Sequence, residues 1–206
     1  MTPAVPAPVA AAASTASVPG WCAPNPSTAG FRSASPAEGN VHPIGDVVQG
    51  DPETIEFLNE QLTAELTAIN QYFLHAKMQE NWGYRTLAAY TRHESIDEMH
   101  HAEMLTDRIL FLEGMPNYQR LSPLRIGQTV PEQFRADLEI EVDAVTRLRA
   151  GSQHMRSVGD ITSATLFETV LADEEGHIDY LETQLALLET LGEPLYLAQV
   201  TEHPSA

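Results

Sequence analysis

Two short patterns in this sequence pair a carboxylate with an imidazole three residues on: Glu98-x-x-His101 and Glu174-x-x-His177. On a helix, residues three apart are neighbours on one face, so each pattern aims an oxygen donor and a nitrogen donor at one point. Two further glutamates stand where apolar residues belong. Leu58, Leu62, Glu65, Ile69 and Tyr72 step by 4, 3, 4 and 3, and so do Phe134, Leu138, Glu141, Val145 and Leu148. Glu65 and Glu141 therefore face the same interior as the apolar residues around them. One Glu-x-x-His arises by chance in a charge-rich helix, and one glutamate in an apolar stripe is more often a rim residue. Two of each, in matched positions, form a set. Four buried carboxylates are very costly without compensation, and no Arg or Lys shares these stripes near them. Two divalent cations would balance them, with two neutral imidazoles filling coordination. Hard oxygen donors and imidazole, with no thiolate, suit iron. They favour Fe(III) over Fe(II), so oxidation of a bound ferrous pair runs downhill. One Glu from each of two helices plus Glu-x-x-His from each of two others is a known ligand pattern of di-iron and di-manganese bundles.

That set needs four helices. Asp51-Pro52-Glu53 is a helix start, with an N-cap acceptor, a proline that needs no N–H partner and an acid in the first turn. The first helix is predicted from about Pro52 to Gln79, with Gly83 as its break. The second runs from about Tyr84 to Leu112 and carries Leu87, Glu94, Glu98, His101 and Leu105 on one face. Thr129-Val130-Pro131-Glu132 is a capping-box start for a third, reaching about Arg156. Gly159-Asp160 restarts the chain as a fourth, with Phe167, Val170, Glu174, His177 and Leu181 on one face, ending near Leu191-Gly192. Residues 193–200 have room for a short fifth. Short turns make the first and second, and the third and fourth, antiparallel pairs. The segment 113–129 is long enough to span a bundle: its residues reach ~56 Å when extended, against ~42 Å for the first helix. The expected fold is therefore all-α, a ferritin-like four-helix bundle with one long crossover and a short C-terminal helix.

Composition bounds the rest. The chain has 206 residues, 43% of them apolar, enough for one good core. Residues 1–47 hold eight of the fourteen prolines, many Ala and Ser, and only Arg32, Glu38 and Asp46 as charges. They are expected to be a disordered extension, with 48–206 the folded domain. The net charge of -18 opposes binding to nucleic acid or anionic lipid. No stretch approaches the roughly 20 apolar residues of a membrane span. The N-terminus lacks the basic and Leu-rich regions of an export signal. The single Cys22 fits a reducing compartment, and the expected location is the cytoplasm.

At the residues that carry the chemistry, the chain resembles the bacterioferritins, the actinobacterial branch in particular. The resemblance runs from Val48 to about Gln199. It is carried by Leu58-Asn59-Glu60, the run from Ala68 to Ala76, His93-Glu94-Ser95-Ile96-Asp97-Glu98-Met99, Arg108 to Gly114, and Asp173 to Asp179. It implies iron storage by a ferroxidase that uses dioxygen or peroxide, in a hollow shell of 24 subunits holding mineral. It implies Glu65 and His101 on one iron, Glu141 and His177 on the other, and Glu98 and Glu174 bridging. Tyr72 resembles the family's redox-active tyrosine, although core packing explains it equally well. Met99 matches the family's axial ligand to a haem b shared across a twofold dimer interface; it follows Glu98 and so projects about 100° from the metal face. His93 and Asp97 resemble an iron site on the cavity wall, and an exposed i,i+4 pair is nearly as good an account of them. A small ferredoxin is the redox partner implied for iron release. Family chains commonly begin Met-Gln-Gly-Asp-Pro, and Val48-Gln49-Gly50-Asp51-Pro52 stands in that place. That departure carries the expectation that residues 1–47 are an over-called start.

Other uses of the same ligands fit less well. A rubrerythrin-like peroxidase should carry a Cys-rich portion, and the chain has one cysteine. A manganese catalase or a di-iron oxygenase remains a matter of metal content and substrate. A DNA-coating mini-ferritin places its metal site between subunits and is opposed by the acidic charge.

Overall fold

A computed structural model describes residues 49–201, and the extension expected at 1–47 lies outside them. The described residues form α1 (Pro52–Trp82), α2 (Arg85–Phe111), α3 (Val130–Ser157), α4 (Ile161–Leu191) and α5 (Glu193–Val200), with no strand among them. The all-α bundle with a long crossover and a short fifth helix is thus observed.

Local chemistry sets the helix ends. The Asp51 side chain accepts from the Thr54 N–H at 2.8 Å, and Asp160 accepts from the Ser163 N–H at 3.0 Å. Glu132 reaches past the capping Thr129 to take the N–H of Gln128 at 2.8 Å. The first helix runs three residues beyond the expected Gln79. It stops only where Gly83 adopts φ 91°, a left-handed conformation, and its N–H bonds back to the carbonyls of Gln79 and Glu80.

Each long helix carries apolar residues at both ends and acids in the middle. One apolar cluster contains Leu58, Leu62, Leu105, Ile109, Leu148 and Phe167; the other contains Leu87, Phe134, Leu181 and Tyr196. Along α2, α3 and α4 the candidate ligands fall between these two clusters, and Glu65 of α1 follows Leu58 and Leu62 of the first, so apolar residues flank the metal-binding layer at both ends.

The crossover, residues 112–129, is gripped along its length by one edge of α1. Asn59 Oδ1 accepts from the Asn117 N–H at 2.8 Å, and Thr67 Oγ1 from the Ser122 N–H at 3.0 Å. Gln71 Oε1 takes the Arg125 N–H at 2.9 Å, and His75 Nε2 the Gly127 N–H at 3.1 Å. Gln71 and His75 are themselves anchored on Asp137 of α3, at 2.8 and 3.1 Å. Because these contacts climb α1 from its first half to its last turns, the crossover runs the length of the bundle. It delivers α3 parallel to α2.

Gly127 closes the strap against α3. A Cβ there would run into the backbone of Glu132 and Gln133, which is fixed by the first turn of the helix. Gly127→Ala is expected to destabilise the protein by about 1–3 kcal/mol through overpacking, read as a lower Tm with unchanged helix content by circular dichroism.

Candidate metal centre

The structure brings the six sequence-predicted ligands into two overlapping groups. Glu65, Glu98, His101 and Glu174 form one; Glu98, Glu141, Glu174 and His177 form the other. Within each group, one donor atom per residue lies within 4.8 Å of every other. Glu98 and Glu174 belong to both. All of them are buried except His177, which is partly so.

Both imidazoles turn Nδ1 inward. His101 Nδ1 is 3.1 Å from Glu98 Oε2 and 3.4 Å from Glu174 Oε1; His177 Nδ1 is 3.0 Å from Glu174 Oε2 and 3.4 Å from Glu98 Oε1. Glu98 Oε1 and Glu174 Oε1 nonetheless have no hydrogen-bond partner, because the 3.4 Å neighbours are not in bonding geometry. A buried carboxylate oxygen with no donor is rare and calls for a cation or a proton. The remaining acids are supported from outside the cluster: Gln61 Nε2 donates to Glu65 Oε1 at 2.7 Å, and the Tyr72 hydroxyl donates to Glu141. The residues present therefore fit a pair of hard divalent ions, with oxygen donors in excess and two inward ring nitrogens.

Electrostatics within the protein alone show the same demand. Burial pushes the Glu65 and Glu141 carboxyls well above the usual range, and the charges of Glu174 and Glu98 add to it. Burial opposes charging of His101 and His177, but hydrogen bonds that they donate to Glu174 and Glu98 outweigh it and raise both to about 11. Burial also works against ionised Glu174, but its bonds from His101 and His177 hold it at about 2. Tyr72 is buried and its hydroxyl is held neutral by desolvation, then by Glu141 and Asp137.

Two acids that the sequence reading left without a role stand behind the histidines. His177 Nε2 lies 3.1 Å from Glu94, and His101 Nε2 lies 3.3 Å from Asp173. Glu94 was visible on the second helix's ligand face, one turn before Glu98. Asp173 contacts His101 from another helix, and no spacing within a helix signals that. The remaining predicted site residues lie apart from the centre. Met99 is 51% exposed on α2. His93 Nε2 is 3.4 Å from Asp97, which also has His100 Nδ1 at 3.7 Å, and both histidine side chains are solvent-exposed.

The sequence matches the ferritin-like domain family over residues 55–191. It is similar to the bacterioferritin of Streptomyces coelicolor, 68% identical over 155 residues that make up 75% of this chain and 93% of that protein. Bacterioferritin BfrA of Mycobacterium tuberculosis strain H37Rv is 63% identical over 157 residues, 76% of this chain and 99% of that one. The solved structure of Mycobacterium tuberculosis bacterioferritin BfrA is also similar, with a TM-score of 0.75 at 63% identity, covering 77% of this chain and 99% of that chain.

Proposed function

The chain belongs to the bacterioferritins, and on that premise we propose that it stores iron by oxidising Fe(II) at the centre formed by Glu65, Glu98, His101, Glu141, Glu174 and His177. The observation that carries this reading is the pair of overlapping four-ligand groups that share Glu98 and Glu174, each with an unpartnered carboxylate oxygen. Glu65 and His101 serve one ferrous ion, Glu141 and His177 the other, and the shared acids bridge them. Iron is the substrate here: each ion gives up one electron to dioxygen or peroxide, and the carboxylate-rich donor set favours the ferric product. Between them the two apolar clusters keep bulk water from the layer. Tyr72 donates its hydroxyl to Glu141 and so touches that subsite.

The wider reading is a shell of 24 copies in the cytoplasm that collects ferric mineral. His93 and Asp97 take iron on the inner wall, and Met99 of each of two copies would hold a shared haem b, which would supply electron transfer. An exposed thioether on a helix surface fits such sharing, since an unshared apolar side chain there gains little. A small ferredoxin would feed electrons inward for release. Among the described residues no helix is long and apolar enough to cross a membrane.

One experiment tests the whole proposal. Protein incubated with Fe(II) in air is expected to elute from size exclusion as a large assembly carrying far more iron than its centres can hold, with a haem Soret band. Met99→Leu should lose the Soret band and keep the iron. Elution as a small species without retained iron would end the storage reading, and an unchanged Soret band in Met99→Leu would end the haem assignment.

A further inference from the structure

Apolar residues flank the metal layer at its ends, but its side between α1 and α3 is open. A cavity of about 80 Å³ lies there under the crossover. Buried Glu65 and Glu141, the two glutamates that belong to one ligand group each, line its inner end. Exposed Arg125 and Asp143 line its outer end, so it leads from the surface to both groups. Two alanines keep it open. Ala68 follows Glu65, and Ala144 follows Glu141, by three positions, so each stands beside a ligand on the same helix face. A longer side chain at either place would fill the way to the carboxylate. The volume is several times the roughly 10–15 Å³ that one water needs, which is room for a molecule of two oxygen atoms.

The rim decides which small molecule suits the cavity. Arg125 of the crossover reaches over to α3, donating to Asp143 Oδ2 at 2.9 Å and to Glu139 Oε2 at 3.3 Å. Arg147 donates to the Asp143 carbonyl at 3.1 Å. A hard divalent cation exchanges its water for other oxygen donors, and here the Asp143 carboxylate is already taken by a guanidinium. Dioxygen and hydrogen peroxide carry no charge at neutral pH and need no donor at the rim. Ala68, Pro123, Ile140 and Ala144 give them apolar walls.

We propose that this cavity is the entrance for the oxidant, a small uncharged molecule of two oxygen atoms, and that Fe(II) reaches the centre by another path. The ferrous pair gives up two electrons, one from each ion. Hydrogen peroxide takes both with two protons, and its O–O bond breaks to leave two waters; dioxygen takes both with two protons and leaves as hydrogen peroxide. This inference rests on the six-ligand centre proposed above and adds the side from which the oxidant comes.

Ala68→Leu and Ala144→Leu fill the cavity from opposite walls and test the proposal. Each variant should bind two Co(II) per chain, one for each ligand group, at the wild-type rate, followed by absorbance without air. Nitric oxide, an uncharged two-atom probe that colours ferrous iron without turnover, should enter the anaerobic Fe(II)-loaded variants about tenfold more slowly than wild type, because entry then waits on a local opening. Oxidation should split in the same way, with KM for the oxidant raised about tenfold and kcat close to wild type. If a leucine variant does not assemble, Ala68→Val and Ala144→Val carry the comparison. Nitric oxide entering both filled variants at the wild-type rate would overturn the proposal, and so would Co(II) binding slowed as much as nitric oxide entry. Failure of wild type to bind two Co(II) would instead sink the centre itself.

Discussion

Glu98→Ala stops rapid oxidation of Fe(II), slowing it by more than the roughly 10- to 100-fold that loss of an outer-shell partner to a metal ligand costs. The reason is that Glu98 belongs to both four-ligand groups. Its removal takes a donor from each ion at once and leaves one acid, Glu174, to join them. Stopped-flow absorbance of the ferric product at two Fe(II) per chain measures the effect. A companion variant separates chemistry from folding. Glu98→Gln keeps the shape of the side chain and removes its charge from a layer where Glu65 and Glu141 are already crowded by like charge. The metal-free Glu98→Gln protein should therefore melt no lower than metal-free wild type while oxidising iron as poorly as Glu98→Ala. Residues that bind substrate at the expense of stability give this signature when replaced. A Glu98→Ala protein that oxidises iron at the wild-type rate would remove the centre from the mechanism.

Loading the centre should acidify the solution, and its apparent affinity should rise with pH. His101 and His177 stay protonated through neutral pH in the metal-free site, and Glu65 and Glu141 hold their protons to higher pH than free carboxyls. Two cations displace the proton of each histidine, together with whatever Glu65 and Glu141 still hold. Calorimetric titration of Zn(II) in buffers of different ionisation enthalpy counts them, and release of fewer than one would contradict the proton accounting. The stability of the metal-free protein has its own dependence. His101 and His177 are raised to about 11 from an ordinary value of 6.5. Their contribution is complete below 6.5 and is lost as pH climbs through 11. Glu174 is lowered from 4.5 to about 2, so its contribution is present above 4.5 and lost as pH falls toward 2. The raised Glu65 and Glu141 carboxyls contribute fully below 4.5 and lose that contribution as pH climbs above it, so the metal-free centre is most favourable near pH 4.5. Zn(II) binds best above that pH, so the rise in Tm on adding Zn(II) should be small at pH 6 and large at pH 8.

Much of this was legible in the sequence because periodicity acts within a helix. An acid on a leucine stripe, as at Glu65 and Glu141, must be buried, and Glu-x-x-His fixes two donors on one face. Met99 could be placed off the metal face by its single step from Glu98. The bundle followed from connection lengths, since only a long segment reaches from the end of α2 to the start of α3 lying parallel to it. What was not legible crosses between elements. The contacts of Asp173 with His101 and of Glu94 with His177 join different helices, where no spacing rule applies. The end of α1 ran past Gln79 to Trp82 because the apolar stripe fades before the backbone meets the glycine that turns it. The polar series Asn59, Thr67, Gln71 and His75 looked like ordinary helix composition, because its partners are backbone groups of an aperiodic segment.

That series has a consequence for which changes the chain tolerates. The strap from 112 to 129 is recognised by its main chain, and the side chains from Asn117 to Arg125 point to the surface of the single chain. Amide donors are supplied by any residue but proline, so the composition of that stretch is free to drift except where its side chains meet the helices, as Tyr118 does at Thr106 and Arg125 at Glu139 and Asp143. Its count of residues is not, because one inserted or deleted position would put every later rung out of step with the helix. Libraries built on this scaffold should vary the letters there and keep the length.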